Sequence, residues 1–139
     1  MVAAYENEQP DVIIVEGQGA LSHPAYLTSA YILRGSQPAA VILQHAPGRV
    51  TLGDFPMIAM PTVASEKALI EAFADTKVIG VTINHERLDA NEITAAILDV
   101  ELEFGLPATD PLTRPLDELA DMVLFAFPEL GAPRSAVAL

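Results

Sequence analysis

Short apolar runs alternate with amphipathic stretches along this chain. Val12-Ile13-Ile14-Val15, Ala40-Val41-Ile42-Leu43 and Val78-Ile79-Gly80-Val81-Thr82-Ile83 carry almost no polar group. Runs of that length, apolar on both faces, suit parallel strands covered by helices on each side. Leu106 to Thr109 is a weaker fourth candidate. The intervening spacing predicts helices. Residues 24–33 form the first, with Ser22 as N-cap for a start at His23-Pro24 and Gly35 as C-terminal cap. Residues 62–74 form the second, with Leu69 and Phe73 one turn apart. Over residues 90–104, Ile93, Ile97, Val100 and Phe104 share one face, and Glu92, Asp99 and Glu103 the other. Asp89 and Glu92 fit a capping box, and Gly105 ends the helix. Pro115 opens the last helix, with Leu116, Leu119, Val123 and Phe127 facing inward. Residues 46–61, with three prolines and two glycines, read as one long irregular connection. A loop of that length in a compact domain is often functional.

Strand followed by helix, four times over, predicts an α/β fold: a three-layer domain with a mostly parallel sheet. A chain of 139 residues fits one domain, with residues 1–127 folded and residues 128–139 a loose tail.

Every predicted strand ends on a polar residue: Glu16, then Gln44-His45, then Asn84-His85, then Asp110. Parallel strands gather these groups on one edge, and α/β sheets bind ligands outside the carboxyl ends of their strands. Arg49 follows the second strand, and Arg34 ends the first helix at an unfixed distance from that edge. A helix starting at His23 offers free N–H groups to an anion. An anionic ligand near Ser22, His23 and Arg49 is therefore expected.

Composition narrows the partners. Nineteen acids against seven bases give a net charge of -12. That excludes nucleic acid, which needs clustered Lys and Arg, and an anionic membrane surface. There is no cysteine, hence no thiolate nucleophile and no Cys-ligated zinc. The acidic N-terminus has no basic leader, and the longest uncharged run, residues 17–33, is broken by glycine, His23 and Pro24. A cytoplasmic setting is expected.

The individual motifs leave alternatives open. Glu16 resembles the acid that holds Mg²⁺ on a nucleotide phosphate, and equally a solvated strand-end acid. Gly17-Gln18-Gly19 either lets backbone approach a ligand or makes a turn, and it is no dinucleotide fingerprint because Ser22 takes the third glycine's place. Neither Lys67 nor Lys77 follows the glycine loop of a P-loop. Ser22 and His23 are adjacent and no G-x-S-x-G is present, which argues against a serine hydrolase. His23 and His45 are candidate acid–base groups. The three histidines, His23, His45 and His85, lack a compact zinc spacing. Asn84 either reads a base edge or caps the next turn.

Taken together, IIVEGQGALSHPAY, LRGSQP, QHAPGR and GLPATDP resemble the C-terminal domain of the D-glutamate N-acetyltransferase-like family, from Pro10 to about Leu116. The resemblance implies a P-loop NTPase-like fold of the dethiobiotin synthetase type, here partial, with the Walker A strand and a Rossmann-like first domain lying upstream. It implies Glu16 as the Walker B-like acid, reaching metal only through Mg-nucleotide. Gly17, Gly19, Asn84, Pro107 and Asp110 would border the nucleotide. Ser22, Tyr26, Arg34, Ser36 and Arg49 would face the substrate, with His23 and His45 as candidate bases. ATP with Mg²⁺ and acetyl-CoA are the implied small molecules. An amino acid, the upstream domain and further copies of the chain are the implied partners. Three functions stay open: part of a D-amino-acid N-acetyltransferase, an ATP-dependent carboxylase or ligase, and a non-catalytic nucleotide-sensing or oligomerisation module. Alone, the chain is expected to bind nucleotide poorly and, with a bare strand edge, to self-associate.

Overall fold

A computed structural model describes residues 2–131. In chain order the elements are α1 (Val2–Glu8), α2 (Thr28–Ser36), β1 (Ala40–His45), β2 (Thr51–Leu52), β3 (Phe55–Ala59), α3 (Val63–Ala74), β4 (Lys77–Ile83), α4 (Ala90–Phe104), β5 (Ala108–Thr109) and α5 (Asp117–Ala126). A 3-10 turn over Pro128–Gly131 follows, and Leu124 packs on it beside Gly131. The rest of the expected tail, residues 132–139, lies outside the described residues.

The fold is a three-layer α/β arrangement around a sheet of order β1-β4-β5. Both pairings are parallel, with His45 opposite Ile83 and Thr82 opposite Thr109. The apolar run of β4 is buried because it is the central strand. Val81 and Ile83 pack with Val63, Val100 and Ala108, while Val78 packs with Leu33 and Ile70. The β1–β4 register slips between Val41 and Ile42, so the partners pass from Val78 to Gly80. Gly80 then lies under α5, where an added Cβ would stand 2.6 Å from the Met122 sulfur.

Local signals set the helix boundaries of α3 and α4. Thr62 accepts from the Ser65 N–H at the start of α3. Asp89 and Glu92 form the reciprocal capping box of α4, and Gly105 closes it at φ 62°. Only a residue tolerant of the left-handed region ends a helix in that way.

Four expectations are corrected. Residues 12–15 form no strand: Ile14 is 88% exposed, and none of the described strands runs alongside them. The order strand–helix thus holds for three strands of one sheet. The first helix starts at Thr28 instead of Pro24, since the His23 ring captures the Ala25 and Tyr26 N–H groups in a turn. Ser22 is therefore no N-cap, and Gly35 lies inside α2, whose cap is Gln37 at φ 46°. Residues 46–61 hold the β2–β3 hairpin, turning at Gly53-Asp54. Finally, Leu119, Val123 and Phe127 are half-buried as expected, but Met122 is the fully buried residue of α5 and Leu116, at its N-cap, is 69% exposed.

Candidate functional site

The carboxyl ends of β1, β4 and β5 meet on one edge, as parallel strands require. His45, Asn84, His85 and Asp110 all stand there. The loops after β1 and β4 touch closely: a Cβ on Gly48 would overlap the Glu86 carbonyl oxygen. The Asn84 N–H donates to the His45 carbonyl at 2.7 Å, joining the two strand ends. Arg49 crosses between the loops and donates from Nε (2.8 Å) and Nη2 (2.5 Å) to one oxygen of Glu86. The hydrogen bond from Arg49 holds the Glu86 carboxyl below its ordinary range. Both side chains are partly exposed.

Asp110 is the most enclosed polar group of this edge, with no exposed surface. Its Oδ1 accepts from the Leu112 N–H at 3.0 Å. Its Oδ2 accepts from the Thr113 hydroxyl at 2.7 Å and lies 2.7 Å from His85 Nδ1. Burial opposes its charge, but these three bonds outweigh burial and hold the carboxyl below its usual range. The sequence places Asp110 at the nucleotide's border; in the described residues its carboxyl is enclosed. Asn84 spends its Oδ1 on the Glu86 N–H, the turn-capping alternative. The Pro107 carbonyl accepts from the Val81 N–H, and Pro107 lines an open cleft of about 420 Å³ between α4 and α5.

Tyr26 and His23 contact the β2–β3 hairpin. Tyr26 donates its hydroxyl to Asp54 at 3.0 Å, and this bond raises its phenol above the ordinary value. His23 is buried, stacks on Tyr26 at 4.5 Å and meets the Phe55 ring edge-on at 5.4 Å. Its Nδ1 accepts from two backbone N–H groups, so the ring proton sits on Nε2. That leaves His23 no free lone pair with which to act as a base in this arrangement. Burial pushes the His45 imidazole down, which favours its neutral form.

Glu16 is exposed in a stretch without secondary structure, so it does not end a strand beside the others. Gly17 packs against Ile32 of α2, and Gly19 turns at φ 86°. The Gln18 and Gly19 carbonyls accept from the Ser29 hydroxyl, and Thr28 also donates to Gln18. Gly17 and Gly19 thus border a turn docked on α2. Arg34 and Ser36 stand at the opposite end of the sheet, because α2 finishes four residues before β1 begins. There Arg34 covers the Phe73 ring at 4.8 Å, and the Ser36 hydroxyl donates to the Ile32 carbonyl. Ser22 is exposed in the preceding turn.

Three of the residues expected around a Mg-nucleotide are placed differently from that expectation. Glu16 lacks its strand, Asp110 is enclosed and Asn84 Oδ1 is already bonded. Among the described residues no three His, Asp or Glu side chains converge as metal ligands. No helix among them is long and apolar enough to cross a membrane.

One buried acid was not foreseen. Glu66 accepts the Leu21 N–H at 2.7 Å on Oε2, while its Oε1 is buried without a hydrogen-bond partner among the described residues. In the sequence it reads as an ordinary acid in the first turn of α3, and only the folded loop at Leu21 reveals it.

Parallel strands with their polar ends gathered on one edge, covered by helices, define a three-layer α/β domain. A family described as a domain of unknown function, the DUF1611 C-terminal P-loop domain, matches residues 1–120, and the chain belongs to it. It is 32% identical over 123 residues to a D-glutamate N-acetyltransferase of Tritonibacter scottomollicae, covering 84% of this chain and 37% of that protein. It is 31% identical over 112 residues to a D-glutamate N-acetyltransferase of a Pseudoalteromonas species, covering 76% of this chain and 34% of that one. The crystal structure of a DUF1611 family protein from Anabaena variabilis superposes with a TM-score of 0.80 at 31% identity, over 89% of this chain and 38% of that one. The chain thus spans little more than a third of the length of these relatives.

Proposed function

We propose that this chain is part of an N-acetyltransferase that acylates the amine of a D-amino acid such as D-glutamate. The observation that carries this reading is the 31–32% identity to two proteins of that name over 84% and 76% of this chain. Arg49 suits the substrate carboxylate, because its guanidinium already holds one in Glu86. A neutral edge histidine supplies the base, and acetyl-CoA is the acyl donor. Backbone N–H groups of the Gly17–Gly19 turn are candidates to stabilise the oxyanion. Acyl transfer at such a site takes place in the cytoplasm, with the partner domain supplied from outside this chain.

The test is release of free thiol from acetyl-CoA by protein expressed from the complete reading frame, with D-glutamate and then L-glutamate. D-glutamate-dependent release is expected, and none with D-glutamate would sink the reading. The family's description as a P-loop domain favours one second reading, an ATP-dependent carboxylase or ligase. Phosphate release that depends on substrate, without thiol release, would support it instead.

A further inference from the structure

We propose that His85 and Asp110 form the general-base pair of this edge: His85 Nε2 takes the proton from the substrate amine, and Asp110 positions the ring. The proposal rests on the acyl-transfer reading and names the group that performs its proton transfer.

The argument is one of lone pairs. A carboxylate 2.7 Å from Nδ1 fixes the proton on that nitrogen and leaves the Nε2 lone pair outward. Among the described residues only Nδ1 of this ring is hydrogen-bonded, and the side chain is 36% exposed. The other two histidines differ. His23 has its Nδ1 occupied and its proton on Nε2. His45 has burial to keep it neutral, but among the described residues no carboxylate is hydrogen-bonded to its ring. Only His85 offers an oriented and accessible acceptor.

The anchoring points the same way. Asp110 has no contact with solvent, and its bonds to Leu112, Thr113 and His85 fix both oxygens. A merely structural ion pair at this position would be costly, because a buried charge gains little over apolar packing. Glu86, the next residue, holds Arg49. A substrate carboxylate that replaces Glu86 on Arg49 stays beside His85. The exchange sacrifices little, because exposed ion pairs contribute little.

The step balances without a further reagent beyond an acyl thioester. The neutral amine attacks the thioester carbonyl carbon, and the C–N bond forms. The C–S bond breaks, and the amine proton passes to His85 Nε2 and on to the departing thiolate. The products are the amide and the free thiol.

The experiment uses the protein from its complete reading frame with acetyl-CoA and D-glutamate. His85→Ala is expected to lower kcat/KM by about 100-fold or more, with KM little changed. Added imidazole should restore part of the rate. Asp110→Asn is expected to lower kcat and to alter the pH profile, which loss of packing alone would not do. Since Asp110→Asn can unfold the edge, His85→Gln serves as the partner variant on an exposed side chain. Wild-type turnover with His85→Ala and His85→Gln within about twofold of wild type would overturn the pair and leave acetyl transfer standing. Wild-type protein without turnover would overturn both. Independently of activity, nitrogen-15 imidazole spectra should show the proton on Nδ1 of His85, and the opposite tautomer would overturn the geometry.

Discussion

Residues 12–15 and residues 78–83 are both β-branched-rich runs followed by a polar side chain, yet they end up in opposite environments. In the second, Val81 and Ile83 are fully covered between α3, α4 and the neighbouring strands. In the first, Ile14 is 88% exposed and Val12 is 47% exposed. Local propensity is nearly the same in both. What differs is partnership: β4 lies between β1 and β5, while no described strand lies beside residues 12–15. A strand is a property of its neighbours more than of its own residues. The same holds for chemistry, because His85 and Asp110 acquire their geometry only through the β4–β5 pairing, whereas Glu16 stays in solvent.

The sharpest test of this contrast is Ile83→Ala, which should cost about 2–5 kcal/mol, read as a lower urea midpoint. An equally large loss from Ile14→Ala would break the comparison, since an exposed site should stay within about 0.5 kcal/mol. Next comes Gly48→Ala, expected to cost about 1–3 kcal/mol because Cβ meets the Glu86 backbone, which cannot swing aside as a side chain would. Asp89→Ala should cost about 1 kcal/mol through the lost cap of α4. The smallest effect concerns acidity. The folded Asp110 carboxyl lies below its unfolded value, so its stabilisation is present above that unfolded value and is lost as pH falls through the folded one. Burial offsets much of the gain, so the stability difference between wild type and Asp110→Asn should be small, constant at neutral pH, and shrink only at the acid end of the carboxylate range.

How far the sequence carried the fold follows from the same reasoning. The α4 helix was legible to the residue, because periodicity, capping box and terminal glycine are all local signals. Likewise β4 and β5 were legible as apolar runs, and the strand-end edge as the polar residues after them. The β2–β3 hairpin was hidden by Pro56 within a strand that has a single partner, where its missing N–H does no harm. The burial of Met122 on α5 was hidden because Gly80, 42 positions earlier, makes the hollow that it fills. His23 reads in the sequence as a chemical group, and its Nδ1 turned out to organise a turn, which no local signal announced. The pairing of His85 with Asp110, 25 positions apart, was invisible although each was flagged at a strand end.

The parallel order β1-β4-β5 leaves one side of β1 without a strand among the described residues. A parallel strand alternates the direction of its amides, so those aimed at β4 are locked and those between them are open. In heavy water the deuterium uptake of residues 40–45 should therefore alternate between slow and fast from one residue to the next. The outer border of the sheet would be written in that rhythm, one amide at a time.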